Sequence, residues 1–148
     1  TPLHSSAASD VYKRQEELVY PMRKQLTEQG FEELKTVNDV ENMIGNTGTT
    51  LVVVNSVCGC AAANARPGAI TSLINEKKPN HLTTVFAGVD REAVEKVRHY
   101  LAPFPPSSPA IALFKDGELV HMLERHHIEG RAAEMISQNL KGAYNEHC

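Results

Sequence analysis

Two cysteines separated by a single glycine are the residues of this chain best suited to chemistry. The sequence Cys58-Gly59-Cys60 follows an apolar, β-branched run at residues 51–55 and precedes small residues that favour a helix. A cysteine where a strand passes into a helix lies near the unpaired N–H groups of the first turn, which stabilise a thiolate. We therefore expect a redox pair, with Cys58 as the attacking thiol and Cys60 as the resolving thiol.

The one-residue spacing limits what this pair can do. A disulfide between Cys58 and Cys60 would close a very small ring, away from the preferred disulfide geometry. Gly59 would give the backbone the freedom that this closure needs. Because strained disulfides are easily reduced, the spacing indicates a thiol–disulfide isomerase, or a reductase acting through one attacking thiol. It is less suited to a strongly reducing electron donor.

Other roles for the cysteines stay open at this point. Both could be buried and inert in a structural interaction protein, or they could bind a metal ion with a histidine such as His126 or His127. Structural zinc sites usually combine two ligand pairs at wider spacing, so we expect no metal. The third cysteine, Cys148, is interpreted as a bystander at the end of the chain. Arg66, two turns beyond Cys58, is expected to be solvated or to lie at the edge of the sheet.

The composition is that of an ordinary globular chain. It has 148 residues, 41% of them hydrophobic, and a net charge of −3. This charge is against nucleic-acid or membrane partners, since both favour basic surfaces. No apolar run approaches the ~20 residues needed to cross a bilayer. Three cysteines are too few for a disulfide-stapled secreted scaffold, so we expect a cytoplasmic protein.

The first residues have an unusual sequence. Residues 5–15 read SSAASDVYKRQ, which is the translation of a DNA adapter used to prepare sequencing libraries. We therefore interpret residues 1–15 as a non-native or artefactual tail, with a disordered native tail as the alternative. Residues 16–148 are then expected to form a single domain.

The apolar pattern predicts an alternation of helices and strands. The predicted strands cover residues 31–37, 51–55, 83–89, 110–114 and 119–123, and the predicted helices cover residues 16–29, 38–44, 61–74, 91–101 and 132–144. Asn38-Asp39 is expected to cap the second helix, Pro67 to kink or restart the third, and Asp116-Gly117 to form a tight hairpin. This order predicts an α/β fold with a central mixed β-sheet flanked by helices on both faces.

The segment before the predicted hairpin resembles the thioredoxin superfamily. There, as at Ser108-Pro109 in this chain, a proline precedes an apolar strand and a Lys-Asn-Gly-type turn, here Lys115-Asp116-Gly117. The resemblance implies a thioredoxin-like fold in which Pro109 is a cis-proline. It further implies that Pro109 packs against the thiols and presents its backbone to a substrate.

Several flanking motifs more closely resemble the bacilliredoxin family. They are NSVCGCA at residues 55–61, ARPG at 65–68, PPSSP at 105–109, FKDG at 114–117 and RHHIEG at 125–130. The resemblance implies an enzyme that removes bacillithiol from S-bacillithiolated proteins, with weak disulfide isomerase activity as the alternative. It implies supporting roles for Asn55, Ser56, Gly59, Arg66 and Pro109.

The same resemblance implies the co-substrate and the partners. Bacillithiol would act as the thiol co-substrate, and no cofactor would be tightly bound. The partners would be S-bacillithiolated or disulfide-containing proteins and a low-molecular-weight thiol. Two departures from thioredoxin itself favour this reading: Val57 replaces the tryptophan usual before the first cysteine, and Val52 stands where thioredoxin has a buried acid.

Overall fold

A five-stranded mixed sheet with helices on both faces forms the framework of the protein. The computed structural model describes the backbone of residues 2–148 and side chains from residue 10 onward. The strands are β1 Glu32–Glu33, β2 Thr49–Asn55, β3 His81–Phe86, β4 Ala110–Lys115 and β5 Glu118–Leu123. The helices are α1 Pro2–Thr27, α2 Val37–Ile44, a π-helix Ala61–Ala65, α3 Arg66–Ser72, α4 Arg91–Leu101, α5 Arg125–Ile128 and α6 Ala133–His147.

The strand β2 occupies the centre of the sheet. The strand order is β1-β3-β2-β4-β5, in which β1, β3 and β2 run parallel to one another. β4 runs antiparallel to both β2 and β5, so the sheet is mixed as predicted. Every residue of β2 is buried, which explains its continuous apolar sequence, because a central strand contacts a core on both faces.

Alternate residues of β2 belong to two separate hydrophobic cores. Leu51 and Val53 pack with residues of α1, α3 and α6 on one face. Val52 and Val54 pack with residues of α2 and α4 on the other. The period-two alternation of a strand therefore places helices on both faces of the sheet. None of the helices among the described residues is long and apolar enough to cross a membrane.

The polypeptide between β2 and β3 contains two helical segments of different kinds. The π-helix ends at Ala65, and α3 follows at once with Pro67 in its first turn. The kink or restart expected at Pro67 thus coincides with the change from π-helix to α-helix, because proline disturbs a helix least in its first turn. At Gly68 an added Cβ would lie 2.6 Å from Cγ2 of Ile136, so this glycine allows α3 to approach α6 closely.

The main differences from the sequence prediction concern α1, α2, β1 and α5. Helix α1 begins well before residue 16, and α2 is capped by Thr36, whose hydroxyl accepts the N–H of Asp39 at 3.1 Å. The expected Asn38-Asp39 cap is therefore wrong by two residues. Strand β1 has only two residues, and the short helix α5 was not predicted. The hairpin turn is confirmed, with positive φ angles at Asp116 and Gly117.

Candidate active site

Cys58 and Cys60 lie where β2 passes into the following helical segment. β2 ends at Asn55, and helical structure begins at Gly59. The carbonyl oxygen of Cys58 accepts the N–H groups of Ala61 and Ala62 at 3.1 and 3.3 Å. The two sulfur atoms are 2.7 Å apart, and both thiols are free and partly exposed. The predicted placement of the pair at a strand-to-helix junction is confirmed.

The environment of Cys58 favours its thiolate. Burial alone would raise the pKa of this thiol, but hydrogen bonds from the Cys60 thiol and the Ser56 hydroxyl outweigh that effect. Backbone N–H groups of Ala61 and Cys60 act in the same direction, and together these donors lower the pKa of Cys58 from 9.0 to about 7. A substantial fraction of Cys58 is therefore ionised, and nucleophilic, near neutral pH.

The environment of Cys60 has the opposite effect. Burial, the hydrogen bond with Cys58 and the negative charge of that sulfur all raise the pKa of Cys60, against a smaller opposing effect of Arg125. Cys60 is thus the proton-bearing member of the pair while Cys58 is ionised. This assignment of thiolate and thiol agrees with the attacking and resolving roles expected from the sequence.

Asn55 and Ser56 hold the short segment that leads to Cys58. The side-chain oxygen of Asn55 accepts the N–H of Ser56 at 2.9 Å, and its amide nitrogen donates to the carbonyl of Met22 in α1 at 3.2 Å. The hydroxyl of Ser56 accepts the N–H of Cys58 at 3.1 Å. Both residues therefore orient the backbone immediately before Cys58.

Arg66 is buried, which corrects the expectation that it is solvated. Its relative exposure is 4%. The guanidinium donates to Gln25 Oε1 at 2.7 Å, to Asn55 Oδ1 at 2.9 Å and to the carbonyl of Ser56 at 3.1 Å. The prediction failed because charged side chains are rarely buried unless paired, and nothing in the local sequence indicates that acceptors from α1 and β2 meet Arg66 here.

Arg125 is a site residue that the sequence analysis did not single out. The Ser108–Pro109 peptide bond is cis, as the thioredoxin resemblance implied, and Nη1 of Arg125 donates to the carbonyl of Ser108 at 3.3 Å. An ion pair with Glu129 and the negative charges of the two cysteines raise the pKa of Arg125. The feature of the sequence that could have identified Arg125 is its position in the RHHIEG motif, to which no role was assigned.

Comparisons with known proteins agree with this geometry. The model of a family described as Disulphide isomerase matches residues 14–148. A bacilliredoxin of Cytophaga hutchinsonii is 60% identical over 131 residues, covering 88% of this chain and 97% of the relative. A bacilliredoxin of Halalkalibacterium halodurans is 58% identical over 138 residues, covering 93% of this chain and 94% of the relative. The chain belongs to the bacilliredoxin family.

Solved structures show the fold of this bacilliredoxin-family chain. A putative oxidoreductase with a thioredoxin fold superposes with a TM-score of 0.59 at 17% identity, covering 74% of this chain and 91% of that one. Thioredoxin of Fasciola hepatica superposes with a TM-score of 0.55 at 20% identity, and the match covers 80% of this chain and 100% of that one. The fold is thioredoxin-like, and with the bacilliredoxin relatives and the adjacent thiols it identifies a thiol–disulfide oxidoreductase.

The two departures from thioredoxin distinguish the site of this bacilliredoxin-family member. Val52 is completely buried among apolar residues, so the strand supplies no acid at this position to assist the resolving thiol. Val57 directly precedes Cys58 and is 56% exposed. Position 57 therefore presents a small apolar side chain to solvent, without the large aromatic ring expected in thioredoxin.

Gly59 is not required by the conformation described here. It lies outside the positive-φ region, and a Cβ added to it would meet nothing within 4 Å. While the thiols are free, a larger residue would fit between them. The need for glycine in a closed Cys58–Cys60 disulfide stays a prediction.

The metal alternative is not supported by the group of ligands that the structure brings together. Among the residues whose side chains are described, Glu124, His126 and His127 have potential ligand atoms within 4.8 Å of one another, and neither cysteine belongs to this group. Nδ1 of His127 accepts the backbone N–H of Glu124 at 3.0 Å. In this conformation the Nδ1 lone pair of His127 is engaged by that peptide N–H.

Proposed function

We propose that this thiol–disulfide oxidoreductase removes bacillithiol from S-bacillithiolated proteins, with Cys58 as the nucleophile. The observation that carries the proposal is the pair of sulfur atoms 2.7 Å apart with oppositely shifted pKa values. The thiolate of Cys58 is available for attack, and the thiol of Cys60 lies within reach of any disulfide formed on Cys58. Sequence identities of 58–60% to bacilliredoxins support bacillithiol as the thiol.

The proposed reaction has two exchange steps. The Cys58 thiolate attacks the bacillithiol sulfur of the mixed disulfide; the bond to the protein sulfur breaks, and the substrate cysteine leaves as a thiolate. Cys60 then loses its proton and attacks the Cys58 sulfur, releasing bacillithiol as a thiolate and leaving a Cys58–Cys60 disulfide. Each step exchanges one S–S bond for another. A second low-molecular-weight thiol or a protein reductant must then reduce the Cys58–Cys60 pair.

The setting of the reaction follows from this chemistry. The partners are S-bacillithiolated or disulfide-containing proteins, and bacillithiol is the co-substrate, with no tightly bound cofactor needed for exchange. We propose that the protein acts in the cytoplasm, because a reducing compartment regenerates the thiol pair after each turnover. Asn55, Ser56, Gly59, Arg66 and Pro109 are proposed to support the two cysteines.

The proposal is tested with one protein that carries bacillithiol on a single cysteine and, in parallel, glutathione on the same cysteine. Cys58→Ser is expected to abolish release of bacillithiol, whereas Cys60→Ser retains the first exchange step. Cys148→Ser is the matched control and is expected to release bacillithiol at the wild-type rate. Equal turnover by Cys58→Ser would refute the assigned nucleophile. Equal rates on both substrates would refute specificity for bacillithiol.

Disulfide isomerisation is the second candidate function. The family description, Disulphide isomerase, favours it, and the same attacking thiolate could open an incorrect disulfide in a protein. Recovery of activity by a scrambled disulfide-bonded protein distinguishes the two candidates. Faster recovery of that protein than release of bacillithiol, at equal enzyme concentration, would make isomerisation the main activity.

A further inference from the structure

Arg66 is a buried cation without a carboxylate partner. Its three acceptors, on Gln25, Asn55 and Ser56, are all uncharged. None of the ion pairs formed by residues 10–148 includes Arg66. A buried charge is costly unless an opposite charge compensates it, so the position of Arg66 calls for an anion that the permanent acids of the chain do not supply.

Cys58 is the group that can supply this anion. Arg66 donates to the carbonyl of Ser56, two residues before Cys58, and Ser56 Oγ in turn accepts the N–H of Cys58. Burial lowers the pKa of Arg66, and the negative charge of the Cys58 sulfur acts in the opposite direction. The contacts of the buried guanidinium thus tie it to the segment that carries Cys58, whose side chain becomes negative near neutral pH.

We propose that Arg66 is the positioning residue for the Cys58 thiolate: it fixes the segment that leads to the sulfur and supplies the buried positive charge that stabilises it. Arg66 makes two separate contributions to the Cys58 thiolate. The hydrogen bonds to Asn55 and Ser56 set the geometry, and the charge favours the ionised sulfur before attack. Arg66 does not itself touch the reacting sulfur through any hydrogen bond described here.

The other groups that face the pair differ from Arg66 in a testable way. Cys60 contributes the adjacent thiol, and Arg125 is the second cation whose charge acts on both sulfurs. The Arg125 side chain is 45% exposed and is already paired with Glu129 at 3.2 Å. Residues Met22 and Gln25, which reach this segment from α1, are uncharged. Solvent and salt screen an exposed charge far more than a buried one.

The test measures ionisation of Cys58 directly. In the Cys60→Ser/Cys148→Ser protein Cys58 is the single thiol, and its thiolate absorbance is followed against pH. Adding Arg66→Met is expected to raise the pH midpoint by about one unit, because the ionised sulfur then loses a buried opposite charge and the segment before Cys58 loses its anchor. Arg66→Lys, which keeps the charge, is expected to restore most of the difference. An unmoved midpoint in folded Arg66→Met would overturn the inference.

Arg125→Met is the matched control, and it also decides the question if Arg66→Met does not fold. Loss of the Arg125 charge is expected to shift the pH midpoint of Cys58 ionisation only slightly, and high salt is expected to abolish this shift. A return of the midpoint to the ordinary thiol value of 9.0 in Arg125→Met alone would overturn the inference, since the stabilising charge would then be the exposed one.

The inference rests on the proposed attacking role of Cys58, but the two can fail separately. The absorbance measurement needs no substrate, so an unmoved midpoint overturns the role of Arg66 and leaves the exchange reaction intact. Release of bacillithiol by Cys58→Ser at the wild-type rate would refute the exchange mechanism, whatever the effect of Arg66 on ionisation.

Discussion

At the scale of single residues, two identical side chains acquire different chemistry from their positions. Cys58 immediately precedes the helical turn and receives hydrogen bonds that favour its thiolate. Cys60 lies inside that turn, where burial and the neighbouring negative sulfur favour its thiol. In the proposed reaction, the strand-to-helix junction therefore decides which cysteine attacks and which resolves.

The lowered pKa of Cys58 predicts a pH dependence of stability. A group whose pKa is lower in the folded chain stabilises it fully above the unfolded value of 9.0 and loses this effect as pH falls through about 7. Serine at position 60 removes the Cys60 thiol, one of the donors that lower this pKa. In the Cys60→Ser/Cys148→Ser protein we therefore expect the free energy of unfolding to rise over the upper part of the range between pH 7 and pH 9. The rise, relative to the same protein with Cys58→Ser, is on the order of 1–2 kcal/mol, because the sulfur is partly exposed.

Urea unfolding at each pH checks this prediction. The triple-serine protein is the control, since every other titrating group is common to the two proteins and cancels in the difference. Parallel pH profiles for the two proteins would show that the folded state does not favour the Cys58 thiolate.

At the scale of elements, the helical segment after β2 connects the thiols to α1 and α6, two helices on the same face of the sheet. Arg66 is the first residue of α3, and its side chain reaches α1 and the end of β2. Gly68, two residues later, brings α3 against Ile136 of α6. One short helix thus carries the positive charge for the site on one side and a close helix–helix contact on the other.

A pair of glycine substitutions tests this difference between the two ends of the segment. Gly68→Ala is expected to destabilise the reduced protein by about 1–3 kcal/mol, because its Cβ would overlap Ile136. Gly59→Ala is expected to leave stability unchanged or raise it by a few tenths of a kcal/mol, since alanine favours a helix and space is available. Urea unfolding under reducing conditions measures both. Equal losses would mean that Gly59 has a steric role in the reduced state.

At the scale of the whole molecule, the architecture follows closely from the sequence pattern. The apolar run of β2, the Asp116-Gly117 turn and the alternation of elements are sufficient to predict a mixed sheet with helices on both faces. These features were predictable because each depends on neighbours in sequence. The thioredoxin-like fold and the cis bond before Pro109 were available only from the resemblance.

The parts of the site that were missed depend on contacts between residues far apart in sequence. Arg66 is buried because acceptors on Gln25 and Asn55 meet it in space, and Arg125 reaches Ser108 from a helix that the sequence pattern did not reveal. No local pattern in the sequence encodes such long-range contacts. The interpretation of residues 1–15 as a non-native tail stays a prediction.

The central claim is that Cys58 takes the bacillithiol group from a protein substrate. It is tested most directly by mixing Cys60→Ser with a protein bacillithiolated on one cysteine and locating the trapped adduct by peptide mass spectrometry. The account predicts one bacillithiol in disulfide linkage to Cys58 for each substrate cysteine released, and none on Cys148. Bacillithiol found on Cys148, or substrate released without any adduct on Cys58, would contradict it.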